Sequence, residues 1–134
     1  MIPEDLFYTD CHLWVRPQGE CVEVGVSEPL IRKMAPLISV ELTEPEVEMK
    51  VELPFGELEG QHETRQLCPP AETRVLEVND ELLWDHTKLV QDPYGEGWLM
   101  RIVAPDTQEL LHLMTASAYR EFCAEDLGEE FVHD

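Results

Sequence analysis

Residues 56–70 read Gly56-Glu57-Leu58-Glu59-Gly60-Gln61-His62-Glu63-Thr64-Arg65-Gln66-Leu67-Cys68-Pro69-Pro70. Leu58 and Leu67 lie at equal distances from a polar centre at His62-Glu63. Successive side chains of a strand point to opposite faces, so short runs with a single apolar position fit strands that bury only one face. The segment therefore predicts two short antiparallel strands joined by a polar tip.

Alternating apolar positions predict further strands on both sides of this hairpin. They are Phe7–Val15, Cys21–Val26, Leu37–Leu42, Pro45–Leu53, Arg74–Val78 and Trp98–Val103. In the run with the cleanest alternation, the side chains predicted to face inward are Val47, Met49, Val51 and Leu53. A turn near Gln18 predicts a hairpin that brings Val15 close to Cys21. That register keeps Cys11 away from Cys21 and argues against a disulfide between them.

Helical signals are short and lie mainly near the C-terminus. Ser27 is a candidate cap for a helix over Glu28–Met34, and Glu81–Trp84 fits one helical turn or a bend. Asp106 with Glu109 resembles a capping box. A further helix is predicted from Thr115, with one face formed by Ala116, Tyr119, Phe122 and Cys123, and the acidic end Glu125–Asp134 is predicted to fray. About six to eight short strands without βαβ alternation favour a β-barrel or sandwich with a helical end.

Composition limits the domain count and the class of partner. The chain has 134 residues, 43% of them apolar, which suits one domain over residues 1–134. Its 29 acidic and 9 basic residues give a net charge of −20. Such a surface repels phosphate backbones and anionic lipids, so a protein with a basic face is favoured over nucleic acid or a membrane. The start Met1-Ile2-Pro3-Glu4-Asp5 lacks the basic residues of a signal or transit peptide, which predicts a cytoplasmic location.

The residue types that usually carry chemistry show no spacing typical of an active site. The four cysteines, Cys11, Cys21, Cys68 and Cys123, form no CxxC pair, and the five histidines form no HxxxH or HExxH motif. Reduced, mostly packed thiols and no metal site are therefore expected. The sequence also lacks Walker, GxGxxG and GxSxG motifs, so the chain is not expected to be an enzyme. The three tryptophans, Trp14, Trp84 and Trp98, are expected to fill the core or cover its edges.

Several stretches, taken together, resemble a known family. They are Tyr8-Thr9, His12-Leu13-Trp14-Val15, Val24-Gly25-Val26-Ser27, Ile38-Ser39-Val40-Glu41-Leu42, Phe55-Gly56-Glu57-Leu58-Glu59, Val75-Leu76-Glu77-Val78-Asn79 and Asp92-Pro93-Tyr94-Gly95-Glu96-Gly97-Trp98-Leu99. In this order, over about residues 6–125, the chain resembles the H protein of the glycine cleavage system, of the lipoyl and biotinyl carrier superfamily. The resemblance implies a mainly β, lipoyl-like barrel-sandwich hybrid. It also implies a short helix near residue 30 and a C-terminal helical tail. The acidic tail after residue 125 lies beyond the core at about residues 6–125.

The resemblance identifies the hairpin as the family's attachment site for lipoic acid. In the family, a lysine three residues after a glutamate carries lipoate as an amide; here Glu59 matches the glutamate and His62 takes the lysine position. The chain's lysines are Lys33, Lys50 and Lys88, none of them in the hairpin. Acylation of an imidazole gives a labile acyl-imidazole, and a tethered arm raises effective concentration only while its tether holds. We therefore expect no covalently attached lipoate and no other cofactor.

Three interpretations of His62 stay open. It is a solvated turn residue without a role, part of a surface that meets a partner protein, or a contact for a metal, a phosphoryl group or non-covalently bound lipoate. Glu57, Glu59 and Glu63 form either a solvated hairpin face or acidic contacts for a basic cleft, where complementary charge accelerates encounter. The candidate partner surface therefore consists of Glu57, Glu59, His62 and Glu63. Cys68 is either packed or a site for a thiol-linked group.

Two hypotheses about function follow from the resemblance and the missing lysine. The first is a non-lipoylated, H-protein-like interaction or regulatory module that docks through residues 56–68 on an enzyme of glycine cleavage or lipoate metabolism. The second is a carrier that holds a different cargo, either covalently on Cys68 or non-covalently near the hairpin.

Overall fold

The computed structural model describes residues 1–132. The strands are β1 (Phe7–Tyr8), β2 (Leu13–Gln18), β3 (Cys21–Val26), β4 (Leu37–Leu42), β5 (Gly56–Gly60), β6 (Thr64–Leu67), β7 (Val75–Val78) and β8 (Met100–Val103). The α-helices are α1 (Glu28–Met34), α2 (Thr87–Gln91) and α3 (Ala116–Asp126), and 3₁₀ turns lie at Asp80–Leu83, Thr107–Leu110 and Glu129–Phe131. The predicted mainly β class, with a helix near residue 30 and a helical C-terminal end, is confirmed.

Two antiparallel sheets share one apolar core. One sheet has the strand order β1-β2-β3-β8-β7 and the other has the order β4-β5-β6. Val24 and Ile102 from the first sheet and Val40 and Leu58 from the second belong to the same buried cluster. Burial of such apolar surface is the main driving force for folding, so the two sheets stabilise each other as a barrel-sandwich hybrid.

A turn at residues 9–12 divides the first predicted strand, so the prediction of one strand over Phe7–Val15 is wrong. The hydroxyl of Thr9 accepts hydrogen bonds from the amides of Cys11 and Leu13, both at 3.2 Å. Such local side-chain bonds compete with strand pairing. His12, within this turn, has a φ of 66°.

The β2–β3 hairpin turns at Gly19-Glu20, and the predicted pairing of Val15 near Cys21 is therefore wrong. Cys21 pairs with Gln18, and Val15 pairs with Val24. Gly19 has a φ of 70°, a conformation that glycine adopts at little cost. The turn thus lies later in the chain than Gln18 because the left-handed position falls on the glycine.

The predicted strand Pro45–Leu53 is also wrong. The segment forms only a short pairing with residues 73–75: an isolated bridge joins Glu48 and Arg74, and backbone hydrogen bonds connect residues 46–49 with Thr73 and Val75. Of the four side chains predicted to face inward, Met49 is buried, whereas the other three are exposed: Val47, Val51 and Leu53. Alternation favours a strand where neighbouring strands cover one face, and the pairing of this segment ends after residues 46–49.

Helix α1 forms where predicted, but the hydroxyl of Ser27 does not cap it. That hydroxyl lies 2.5 Å from the hydroxyl of Tyr119 on α3. The capping box at Asp106 is not formed either, because this side chain makes no cap hydrogen bond. Thr115 does cap α3 by accepting from the amide of Ala118 at 3.3 Å, which confirms the start of that helix.

The C-terminal segment is more ordered than predicted. Helix α3 continues to Asp126, a 3₁₀ turn follows at Glu129–Phe131, and Phe131 and Val132 pack against the core. The prediction of a frayed end is therefore wrong for residues 125–132. Its last two positions, 133 and 134, lie outside the described residues.

The turn at Asp92–Gly97 contacts the buried Trp14. The indole N–H of Trp14 donates to the carbonyl of Pro93 at 2.9 Å, and a Cβ atom at Gly25 would overlap the indole ring. The expectation for the tryptophans holds for Trp14, but it is wrong for Trp84, which is 72% exposed.

Candidate functional site

The segment Gly56–Leu67 forms the predicted hairpin, with its centre one residue earlier than expected. Glu59 pairs with Thr64, and the amide of Gly60 donates to the carbonyl of Glu63 at 2.8 Å. The loop between these partners consists of Gln61 and His62, both exposed. The tip that the pattern placed at His62-Glu63 therefore lies at Gln61-His62.

The hairpin tip does not offer the group that a lipoyl amide requires. Gln61 ends in an amide and His62 in an imidazole, and neither is a primary amine. Lys88 lies beyond β7, with its Nζ atom 3.0 Å from a carboxylate oxygen of Glu96. The residues of the hairpin therefore do not fit covalent lipoate attachment in the way that the resemblance implies.

The outward face of the β4-β5-β6 sheet brings together three carboxylates, including one that sequence reasoning missed. In the register of β4 and β5, Glu41 lies opposite Glu57, and Ser39 lies opposite Glu59. Like charges directly opposite each other destabilise a sheet, so this arrangement costs stability rather than adding to it. We call Glu41, Glu57 and Glu59 the acidic face. The alternation in Leu37–Leu42 was the signal that could have placed Glu41 outward.

Two glutamates of the candidate partner surface are held by neighbours. Glu59 accepts a hydrogen bond from the hydroxyl of Ser39 at 3.0 Å. Glu63 lies beyond the loop and pairs with Arg65, with 2.8 Å between Oε1 and Nε. Glu63 therefore belongs to a different contact from Glu57 and Glu59, and His62 alone lies at the tip.

Arg65 also connects the hairpin to a buried polar network that sequence reasoning missed. Its Nη1 atom lies 3.4 Å from Asp126 at the end of α3, and the same carboxylate oxygen lies 2.6 Å from Nε2 of His12. Nδ1 of His12 lies 2.7 Å from the hydroxyl of Tyr119, which in turn contacts Ser27. The partners of His12 are more than 100 residues away in sequence, so no local spacing indicated the network.

The donors and acceptors of this network fit a neutral His12. A carboxylate can only accept, so Nε2 of His12 donates to Asp126 and Nδ1 accepts from the hydroxyl of Tyr119. The Tyr119 oxygen then accepts from the hydroxyl of Ser27. Burial lowers the pKa of His12 against the opposing effect of Asp126, while the hydrogen bond from His12 lowers the pKa of Asp126. The network holds the turn at residues 9–12, α3 and the hairpin in one fixed arrangement.

We expect the stability of the chain to fall as the pH drops below the ordinary histidine pKa of about 6.5. Burial lowers the pKa of folded His12, so the unfolded chain binds a proton at a higher pH than the folded chain does. The free energy of unfolding is then highest above that pH and declines below it. Chemical denaturation from about pH 7.5 to about pH 5.5 measures the slope, over a range in which Asp126 stays ionised.

Two substitutions separate this effect from general titration. His12→Gln is expected to flatten the slope, whereas His112→Gln, at an exposed position, is expected to leave it unchanged. A slope of equal size in the His12→Gln chain would show that another group causes it.

The described residues contain few features of other functional classes. Within residues 1–132, no group of three histidine, cysteine or acidic side chains is arranged to hold a metal ion. No helix in the same range is both long and apolar enough to cross a bilayer. Of the four cysteines, Cys123 is buried, and Cys11, Cys21 and Cys68 are partly buried. Cys68 follows β6 and is half-buried.

The two sheets, the hairpin and the C-terminal helix together define the fold of a lipoyl-type carrier domain. The glycine cleavage H-protein family matches residues 6–126. The chain belongs to this family.

Individual members of the family match this chain over most of its length. A glycine cleavage system H protein from Bacillus pumilus is 35% identical over 125 residues, which are 92% of this chain and 98% of the relative. The protein of the same name from Gloeothece citriformis is 37% identical over 120 residues, 88% of this chain and 91% of the relative. The crystal structure of a glycine cleavage system H protein from Mycobacterium marinum matches with a TM-score of 0.76 and 29% identity. That match covers 90% of this chain and 97% of the solved chain.

Proposed function

We propose that this chain is a cytoplasmic, non-catalytic H-protein homologue that docks on an enzyme of glycine cleavage or lipoate metabolism without carrying lipoate. There it regulates or scaffolds the enzyme, or competes with a lipoylated H protein. The observation that carries the proposal is the β5–β6 hairpin, whose exposed loop has His62 where the resemblance places the lipoylated lysine.

The first support is the fixed shape of the hairpin. Glu59 is held by Ser39 on β4, and Arg65 on β6 contacts both Glu63 and Asp126. A docking element that is already ordered in the free protein loses less conformational entropy on binding. The hairpin thus keeps the rigidity that recognition requires, although it lacks the amine that lipoate attachment requires.

The second support is the charge of the adjoining sheet. Glu41 and Glu57 lie opposite each other on the acidic face, and the whole chain has a net charge of −20. Such an excess of one sign accelerates association with a basic partner, and the effect weakens as salt screens the charges. The acidic face therefore suits a basic cleft next to the active site of a partner enzyme.

Binding kinetics with each purified enzyme of glycine cleavage and of lipoate attachment test the proposal. We expect one of these enzymes to bind at low salt, and we expect the triple variant Glu41→Gln, Glu57→Gln, Glu59→Gln to associate about tenfold more slowly. The matched control is Glu44→Gln, Glu52→Gln, Glu109→Gln, which removes three charges from exposed positions outside the hairpin. Binding by none of the enzymes, or equal slowing in both variants, would contradict the proposal.

The second hypothesis, a cargo on Cys68 or near the hairpin, stays a prediction. The intact mass of the purified chain, before and after treatment with a thiol reductant or hydroxylamine, distinguishes it from docking alone. An added mass that either reagent removes would favour the carrier.

A further inference from the structure

An open depression lies directly beside the hairpin loop. Leu37, at the start of β4, pairs with Gly60, the residue that precedes the loop Gln61-His62. Leu37 also borders a depression of about 650 Å³. The side chains around this depression belong to Ala35, Pro36, Leu37, His86, Thr87 and Val90. A protein that contacts the hairpin loop would therefore also meet the depression.

Exposed apolar side chains lie in the segments around the depression. We call four of them the apolar patch: Ile38, Leu83, Trp84 and Val90. Ile38 follows Leu37 on β4, and Val90 on α2 lines the depression. Leu83 ends the 3₁₀ turn Asp80–Leu83, which lies next to β4 and to α2, and Trp84 follows it. Trp84 is 72% exposed, so most of its surface is in contact with water in the free chain.

The exposure of the apolar patch indicates a protein partner. Large apolar areas in contact with water are unfavourable, and an exposed apolar patch with a polar rim is typical of an interaction site. Tryptophan is among the residues that contribute most to binding when a partner covers them. A site for a small molecule buries most of its ligand, which an open depression does not do. A protein surface, in contrast, can cover the patch and the depression together.

The charges around the apolar patch define the chemistry of that protein. The segment 80–91 has three exposed carboxylates: Asp80, Glu81 and Asp85. Its one lysine, Lys88, has the Nζ atom 3.0 Å from Glu96. The patch therefore has an acidic rim, which adds to the negative charge of the acidic face on the same side of β4. A partner with basic side chains around an apolar one complements this arrangement.

A second copy of this chain is a poor occupant for the same reason. In a symmetric dimer, the same surface of both copies meets, so two acidic rims would face each other. The basic residues of α1, Arg32 and Lys33, do not offset the rim, since Arg32 lies 3.6 Å from Glu28. Like charges that face each other across an interface oppose association.

We propose that the enzyme bound by the hairpin also covers the apolar patch, with Trp84 as the main anchor. An apolar side chain of the enzyme occupies the depression, and basic side chains of the enzyme lie against the acidic rim. The apolar patch is then a second contact area of the proposed docking function, on which this inference rests. The hairpin and the acidic face set the rate of encounter, whereas the apolar patch sets how long the complex lasts.

Binding of purified enzymes of glycine cleavage and of lipoate attachment to variants of the full-length chain tests the proposal. For the enzyme that binds, Trp84→Ala is expected to raise the dissociation constant about thirtyfold, mainly by faster dissociation. Val90→Asp puts a carboxylate in the depression and is expected to weaken binding as well. Asp80→Asn with Glu81→Gln is expected to slow association at low salt and to leave the dissociation rate unchanged. All these positions are exposed, so the thermal unfolding of each variant is expected to match that of the unsubstituted chain.

The matched control is Leu111→Ala, because Leu111 is 76% exposed and lies outside the apolar patch. Unchanged affinity of the Trp84→Ala chain, or equal weakening in the Leu111→Ala chain, would overturn the inference and leave the docking function intact. Binding by none of the enzymes would overturn the docking function and the inference with it. Sedimentation of the isolated chain checks the other occupant: a dimer that Trp84→Ala dissociates would show that a second copy covers the patch, which would also overturn the inference.

Discussion

Replacing His62 with lysine is expected to make the chain an acceptor for lipoate. The substitution puts a primary amine at an exposed loop position, three residues after Glu59, in a hairpin whose register is already formed. Incubation with a purified lipoate-attaching enzyme, lipoate and ATP, followed by intact mass, measures the result. The His62→Lys chain is expected to gain one lipoyl group, and the unsubstituted chain is expected to gain none.

The matched control is Gln61→Lys, which puts the same amine at the neighbouring loop position. Because small misplacements of a reacting group cost about a hundredfold in rate, we expect this chain to be modified far more slowly than His62→Lys. Equal modification of both variants would contradict the assignment of position 62. A lack of modification in His62→Lys would show that other differences in the hairpin, such as Cys68-Pro69, also prevent recognition.

Truncation of Tyr119 is expected to produce the largest loss of stability. Its ring is fully buried and stacks on Tyr8 at 4.5 Å between centroids, and its hydroxyl joins Ser27 to His12. Removal of a large buried aromatic side chain costs about 3–5 kcal/mol of unfolding free energy. Tyr119→Ala is therefore expected to lose that amount in urea or guanidinium denaturation at neutral pH.

A conservative change separates packing from hydrogen bonding at the same position. Tyr119→Phe keeps the ring but leaves Ser27 and His12 without the hydroxyl, which costs about 1–3 kcal/mol. Ser117→Ala, at an exposed position of α3, is the control and is expected to stay within about 0.5 kcal/mol. A Tyr119→Phe chain as stable as the unsubstituted one would show that the network does not stabilise the fold.

The hairpin and most strands were predictable because their determinants are local. Leu58 and Leu67 are buried in the core as the pattern required, and β3, β4 and α1 have the predicted bounds. In a strand, the alternation of apolar and polar positions shows which face packs against the core. Where a sheet covers that face, the pattern and the structure therefore agree.

In residues 45–53, the alternation of apolar and polar positions did not predict the structure. Val47 and Val51 alternate with glutamates as in a strand, yet both are exposed, and of the four alternate side chains only that of Met49 is buried. Backbone hydrogen bonds join residues 46–49 to Thr73 and Val75, so the pairing is short and does not extend to Val51. Pairing is a property of the whole fold, and alternation does not reveal how far a pairing extends or which face of the segment is covered. The error in the β2–β3 turn is smaller and local, since it came from centring the turn on Gln18 rather than on Gly19-Glu20.

The candidate site was predicted in part. The polar tip near His62 followed from the positions of Leu58 and Leu67, although its centre lies one residue earlier than predicted. Glu57 and Glu59 share one strand face, as their spacing required. Glu41 was missed because its proximity to Glu57 depends on the pairing of β4 with β5. The contacts of His12 with Asp126 and Tyr119 were missed for the same reason, since they join the two ends of the chain.

The hairpin is proposed to carry no prosthetic group. The intact mass of the chain, purified from cells that lipoylate their own proteins, tests this proposal most directly. We expect the mass of the unmodified polypeptide, 15.4 kDa, with no modified peptide from residues 56–68. An added lipoyl mass that peptide mapping locates on any side chain of those residues would contradict the account.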